Sequence, residues 1–302
     1  MTVLPGLPGA SGRPPAADRG PAPAARPARR RRPSPALLAA GAVLALLAVA
    51  AVAPGLLAPA DPLAVSPADA FSAPSPAHPF GTDESGRGVF TRMVHGAGAS
   101  LSIGAAATLI GTGLGVLLGV AAGFGGGRLP GRAADAAVSR LLEVMFALPG
   151  LLLALVVIAF TGPGALPATV AVGLATAPGY ARIVRSQVVR VRRSAMVEAA
   201  VVLGRRPGAV LWRHVLPNAL APVVVLATLG LGQAVVWASS LSYLGLGAPP
   251  PAPEWGAMLS AGRLYVTSAW WMTVFPGLAV VLTAAAATVL GRGLARRGGG
   301  AS

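Results

Sequence analysis

Residues 36–57 (ALLAAGAVLALLAVAAVAPGLL) carry no charge over about the length a helix needs to cross the roughly 30 Å hydrocarbon layer of a bilayer. The property returns at residues 101–124 (LSIGAAATLIGTGLGVLLGVAAGF), and further apolar stretches follow at about 141–160, 168–187, 219–244 and 271–290. In hydrocarbon each backbone polar group must be satisfied within its own segment, which leaves helices as the way to accommodate such stretches. The expected fold class is all-α, a polytopic membrane protein with about six transmembrane helices. Composition agrees: 54% of residues are hydrophobic and 11% charged, where soluble domains carry about a quarter charged.

The stretches divide the chain. Residues 1–35 are rich in Pro, Ala and Arg and lack the apolar periodicity that would offset ordering entropy, so a disordered tail is expected. Residues 36–57 are the first span. A cleaved signal peptide competes there, given the Arg-rich lead and the small residues at Ala58-Pro59-Ala60, but the apolar run exceeds a usual signal core. Residues 58–96 are polar and should lie in water, 97–293 hold five more helices, and 294–302 form a short tail. Pro149-Gly150 interrupts the third span and Pro178-Gly179 the fourth. Gly111 and Gly115 form a GxxxG pair, read as close packing within the bundle rather than a dimer seam.

The net charge of +15 invites a nucleic-acid reading, and the positions of the arginines decide against it. With the N-terminal tail inside and six spans, 21 of the 24 arginines fall on the inner side, leaving Arg87, Arg92 and Arg263 outside. That asymmetry is a topology signal, and it places both termini in the cytoplasm. Lipid is thus the expected surrounding partner, with no nucleic acid. There are no cysteines, and His78, His95 and His214 lie far apart, so no thiol nucleophile and no metal cluster is expected.

One inner segment stands out, VEAAVVLGRRPGAVLWRHVLPN from Val197 to Asn218. It reads as helix, glycine turn, helix. Val197, Ala200, Val201 and Gly204 share a face in the first helix, while Glu198 points elsewhere. Gly204 suits the left-handed residue that ends a helix, and Pro207 the first turn of the next. Val210 pairs with His214 and Leu211 with Val215, and Pro217 closes the second helix before span five. Two physical readings exist: an amphipathic segment lying on anionic lipid, or a knob inserted in a partner's groove. Physics alone favours the first.

The residues Glu198-Ala199-Ala200, Gly204 and His214-Val215-Leu216-Pro217, in that spacing, resemble the EAA loop of ABC-importer permeases. Gly81-Thr82-Asp83-Glu84, Gly86-Arg87, Arg140 through Leu153, Tyr180-Ala181-Arg182, LSYLGLG at 241–247 and Trp255-Gly256 extend the likeness. Over about 78–293 the chain is similar to the C-type subunit of dipeptide, oligopeptide and nickel permeases. The resemblance implies a type I importer permease fold in a bacterial plasma membrane, with 97–293 as the transporter domain and a cytoplasmic EAA loop at about 194–217. It also implies the partners: two ATP-binding subunits, a homologous second permease and an extracytoplasmic substrate-binding protein. The implied coupling residues are Glu198, Ala199, Ala200, Gly204, His214, Leu216 and Pro217. Trp255 and Gly256 lie in a loop that would face the binding protein. No GxxxxGK[ST] loop occurs, so ATP is expected on partner subunits, with no cofactor, metal or catalytic residue of the chain's own.

Two positions depart from the family pattern. Gly88 replaces the usual Asp of the GRD segment, and Arg205-Arg206-Pro207 replace small and acidic residues after the motif glycine. Glu143 lies three residues after Arg140 and is expected to pair with it, and Trp255, Trp270 and Trp271 are expected as interfacial anchors. An ion-coupled secondary carrier would bury ionisable groups at mid-membrane, where these spans are nearly bare of charge. A scaffold without a transport role is the third class. Co-purification of an ATPase separates them.

Overall fold

The computed structural model describes residues 34–124 and 129–298, so the expected tail at 1–35 falls almost wholly outside the described residues, whereas 294–298 of the expected C-terminal tail are the end of a helix. Ten α-helices account for most of what is described, joined by short turns. Helix α1 (Pro35–Val52) opens with Ser34 accepting from the Leu37 N–H and Pro35 in the first turn, and stops two residues before Pro54. Residues 53–88 then form a folded cap rather than a linker. Helix α2 (Val89–Phe124) starts twelve residues ahead of the apolar stretch that announces it, so its first turns belong to the cap.

Helices α3 (Leu129–Phe146) and α4 (Gly150–Thr161) meet at a 95° bend, at the interruption that Pro149-Gly150 announces in the third stretch. Pro149 supplies no N–H and steers Leu148 away from helical backbone, so α3 cannot continue through it. Asp135 of α3 meets Arg185, and Phe146, eleven residues on, meets Arg182, only three residues away on α5; α3 therefore crosses α5 instead of running beside it. Twelve residues of α4 rise about 18 Å, too short to cross a bilayer alone. Among the described residues four helices qualify as spans by length and hydropathy, or five with the bent pair, and the long but less apolar α5 covers the remaining expected stretch.

Helix α5 (Ala165–Arg192) is long enough to span but less apolar, and its buried side chains explain why. Ala168, Ala171, Val172, Ala177, Ala181, Val184 and Val188 are enclosed by protein and need no lipid-facing hydropathy. Its principal neighbour is α2. Gly111 and Gly115 extend into a stripe with Gly119 and Gly123 that lies directly on α5. A methyl built on Gly119 would sit 2.6 Å from Val184 Cβ and 2.7 Å from the Ala181 carbonyl, so only glycine permits this approach. The GxxxG pair thus packs within the chain, as expected.

After the short helices α6 (Ala195–Val202) and α7 (Pro207–Val210), helix α8 (Leu216–Tyr243) crosses back, followed by α9 (Trp255–Gly262) and α10 (Trp271–Gly298). Leu37 packs on Gly293 and Ala51 on Gly98, so α1 lies against both α10 and α2. Three clusters of buried residues stack along the bundle. One at the cap end includes Val89, Trp255, Met258 and Trp271; a middle one includes Ala107, Val172 and Leu241; the third, at the arginine-rich end, includes Val184, Val188, Val197 and Val215.

Candidate functional site

The segment singled out in sequence forms a compact helical pair at the arginine-rich end. Helix α6 ends in a Schellman turn: the Arg205 N–H donates to the Ala200 carbonyl at 3.1 Å and the Gly204 N–H to the Val201 carbonyl at 2.9 Å. Gly204 has φ +71°, the left-handed backbone that penalises a Cβ, with open space around it. Pro207 opens α7 from an extended Arg206, as its missing N–H allows. The connection to α8 differs from expectation. Pro217 does not close the helix, because Leu211–Val215 widen into a π turn in which the Leu216 N–H reaches the Leu211 carbonyl. That turn moves the carbonyl a proline ring would otherwise strike, and Pro207–Tyr243 continue as one rod. Asn218 Nδ2 donates to the His214 carbonyl at 2.7 Å beside it.

One face of the pair is buried. Val197, Ala200, Val210 and Val215 join Val184 and Val188 of α5 and Ala219 and Val223 of α8. Val201, expected on that face, is exposed, since the buried stripe on a two-turn helix is only as wide as Val197 and Ala200. The opposite side presents Val202 (81% exposed), Leu203 (78%) and Trp212 (72%), with Glu198, Ala199, Arg205, Arg206 and Arg213 also exposed. Leu216 and His214 are half-buried and Pro217 is exposed. The segment therefore holds a rigid seat on the bundle and offers an apolar surface rimmed by cations.

The cap end is built differently. Asp83 is buried and accepts from Arg87 Nε at 2.7 Å, and Arg92 Nε lies 3.5 Å from the same carboxylate. Arg92 also donates to the carbonyls of Pro62 and Pro251, both at 3.3 Å, and Trp271 Nε1 donates to the Thr82 carbonyl at 2.9 Å. Glu254, 2% exposed, caps α9 by accepting from the N–H groups of Gly256 and Ala257 at 2.8 Å, and from Ser100 Oγ at 3.2 Å and Ser242 Oγ. One carboxylate thus ties α2, α8 and α9 together.

Sequence reasoning passed over Glu254; the available signal was an acid directly before a helix start in an apolar loop. Trp255, 1% exposed, donates to the Met93 carbonyl at 2.9 Å, and Gly256 is buried on the Ser239 backbone and the Ser242 side chain. Both residues sit inside the chain, so Trp255 is a core residue and not the interfacial anchor expected of it. Trp271 is likewise buried rather than an interfacial anchor, whereas Trp270 is exposed. Arg140 and Glu143 pair at 2.9 Å on the surface, as expected.

The profile of the family described as "Binding-protein-dependent transport system inner membrane component" matches residues 115–298. The dipeptide transport system permease protein DppC of Alkalihalophilus pseudofirmus is 40% identical over 229 residues, which are 76% of this chain and 74% of that protein. The glutathione transport system permease protein GsiD of Pectobacterium atrosepticum is 39% identical over 73% of this chain and 72% of its own length. The probable D,D-dipeptide transport system permease protein DdpC of Escherichia coli K12 is 38% identical over 79% of this chain and 78% of its own. Among solved structures, a chain of the methionine ABC transporter MetNI superposes with TM-score 0.53 and 22% identity, covering 67% of this chain and 95% of that one. The all-α fold is that of a type I importer permease, and this multi-pass membrane chain belongs to the family of binding-protein-dependent transport system inner membrane components, as a permease subunit of an ABC importer.

Proposed function

We propose that this subunit forms one wall of the translocation pathway for short peptides, and that the α6–α7 pair receives the force of ATP hydrolysis from a partner. The observation that carries the reading is the pair's division into a seated face, Val197, Ala200, Val210 and Val215, and an uncovered apolar one, Val202, Leu203 and Trp212. A knob with a fixed base can transmit a push, and an apolar surface of this kind gains free energy when a groove covers it.

In this reading Glu198, Ala199, Ala200, Gly204, His214, Leu216 and Pro217 are the coupling residues of the loop at about 194–217, within a transporter domain at 97–293. Two ATP-binding subunits supply hydrolysis, a homologous second permease completes the pathway, and an extracytoplasmic binding protein delivers solute. The chain catalyses no reaction itself. Both termini are cytoplasmic, which puts the arginine-rich end inside. Arg205 and Arg206 add charge to the rim and set which ATP-binding subunit fits. The named peptide and glutathione relatives support peptide substrates over the nickel complexes also expected.

The test is uptake and co-purification. Gly204→Asp or Glu198→Lys should leave the protein in the membrane and abolish ATP-dependent uptake. Normal uptake in both variants overturns the coupling assignment, and a native complex without an ATPase overturns the importer reading.

A further inference from the structure

A cleft of about 360 Å³ opens in the middle of the bundle, between the α3–α4 bend, the Pro178-Gly179 region of α5, and α8. Both sequence interruptions therefore border one space. Among the described residues its lining carries no Asp, Glu, His, Lys or Arg, and its polar side chains are Thr176, Tyr180, Gln233 and Trp237. Thr176 spends its hydroxyl on the Val172 and Gly173 carbonyls. Tyr180, Gln233 and Trp237 make no side-chain hydrogen bond to any described residue.

Gln233 is the informative one. It is exposed on α8, within a rod apolar and long enough to cross a membrane. An amide facing hydrocarbon would strand two donors and an acceptor at a cost of several kcal/mol, so such a group belongs in a wet or protein-lined space. Room for the cleft is built in: the Tyr180 ring lies against Gly230, where a Cβ would collide with its hydroxyl, and Trp237 lies over Gly150 at the start of α4.

We infer that this cleft is where the subunit touches the peptide backbone, with Gln233, Tyr180 and Trp237 as contacting side chains. The inference rests on the permease reading. Gln233 offers a donor and an acceptor side by side, the complement of a peptide amide, while Tyr180 and Trp237 add a hydroxyl and an N–H. A lining without charge holds the backbone and does not select among side chains by charge. The volume lies within the roughly 300–1,000 Å³ of small-molecule sites and fits a di- or tripeptide rather than a folded segment.

The chain contains no cysteine, so Gln233→Cys and Tyr180→Cys each place a single thiol in the subunit. In membrane vesicles carrying the complete importer, a water-soluble maleimide should label each variant, and saturating dialanine with ATP and the binding protein should slow labelling roughly threefold or more, as occupancy of a contact site requires. No labelling, meaning a site that faces lipid or a permease partner, overturns the inference, as does labelling indifferent to dialanine. In parallel, Gln233→Leu should lower the maximal rate of dialanine uptake roughly three- to tenfold, the loss of about one hydrogen bond, with the half-saturating concentration and the amount of co-purified ATPase unchanged. An unchanged maximal rate overturns it. If the unaltered importer takes up no dialanine, the peptide-permease reading itself fails, which the variants cannot mimic.

Discussion

The two ends of the bundle handle their polar and apolar groups in opposite ways. At the cap end, charged groups are buried and satisfied within the chain: Asp83 by Arg87 and Arg92, Glu254 by two hydroxyls and two backbone N–H groups. At the arginine-rich end, Val202, Leu203 and Trp212 stand uncovered among exposed arginines. An end whose buried Asp83 and Glu254 carboxylates are held within the chain is a rigid frame; an end that leaves apolar surface in water is completed by something else. Stability should therefore be lost by damage to the cap, and assembly by damage to the opposite face.

The largest effect is expected from Asp83→Ala, which leaves Arg92 buried without its counter-ion; removing one partner of a buried pair costs about 3 kcal/mol or more. A thermal melt in detergent should drop sharply, and an unshifted melt would remove the cap from its framing role. Glu254→Ala comes next, at about 2 kcal/mol, since it strips the α9 cap and leaves Ser100 and Ser242 without their acceptor. Leu203→Ser should shift stability by less than about 0.5 kcal/mol, because its side chain touches little, yet reduce ATPase retained on purification. Loss of stability without loss of the partner would reverse the contrast. The smallest change is Gly88→Asp. Gly88 accepts the first bond of α2, from the Arg92 N–H at 3.1 Å, and a Cβ there would meet only Thr91, at 3.6 Å, so an aspartate should cap α2 and raise stability by a few tenths of a kcal/mol. A lowered melt would mean that the departure from the family pattern is compensated elsewhere.

Much of the molecule was legible before the fold was seen. The apolar stretches announce α1, α2, α8 and α10 because lipid leaves a bare hydrophobic segment no alternative to helix. Gly204 and Pro207 mark the turn of the candidate site because few other residues tolerate those backbone positions. Legibility failed where neighbours decide. Pro149 signals an interruption, but the 95° bend and the path of α3 across α5 depend on Asp135 and Phe146 finding Arg185 and Arg182. Pro217 reads as a stop and is not one, because a π turn absorbs it. Trp255 and Trp271 have the composition of interfacial anchors and instead fill the cap core.

Local chemistry, then, settled the class of fold, the number of apolar segments and the place of the EAA-like turn, since hydropathy, glycine and proline act through each segment's own backbone. Packing between distant segments settled the rest. Whether a tryptophan anchors or fills a core, whether Val201 faces inward, and which polar side chains share the cleft beside Gln233 are set by contacts between separate segments, up to the 189 residues between Thr82 and Trp271. One-dimensional spacing carries no record of those contacts, because burial belongs to pairs of surfaces and not to either one alone.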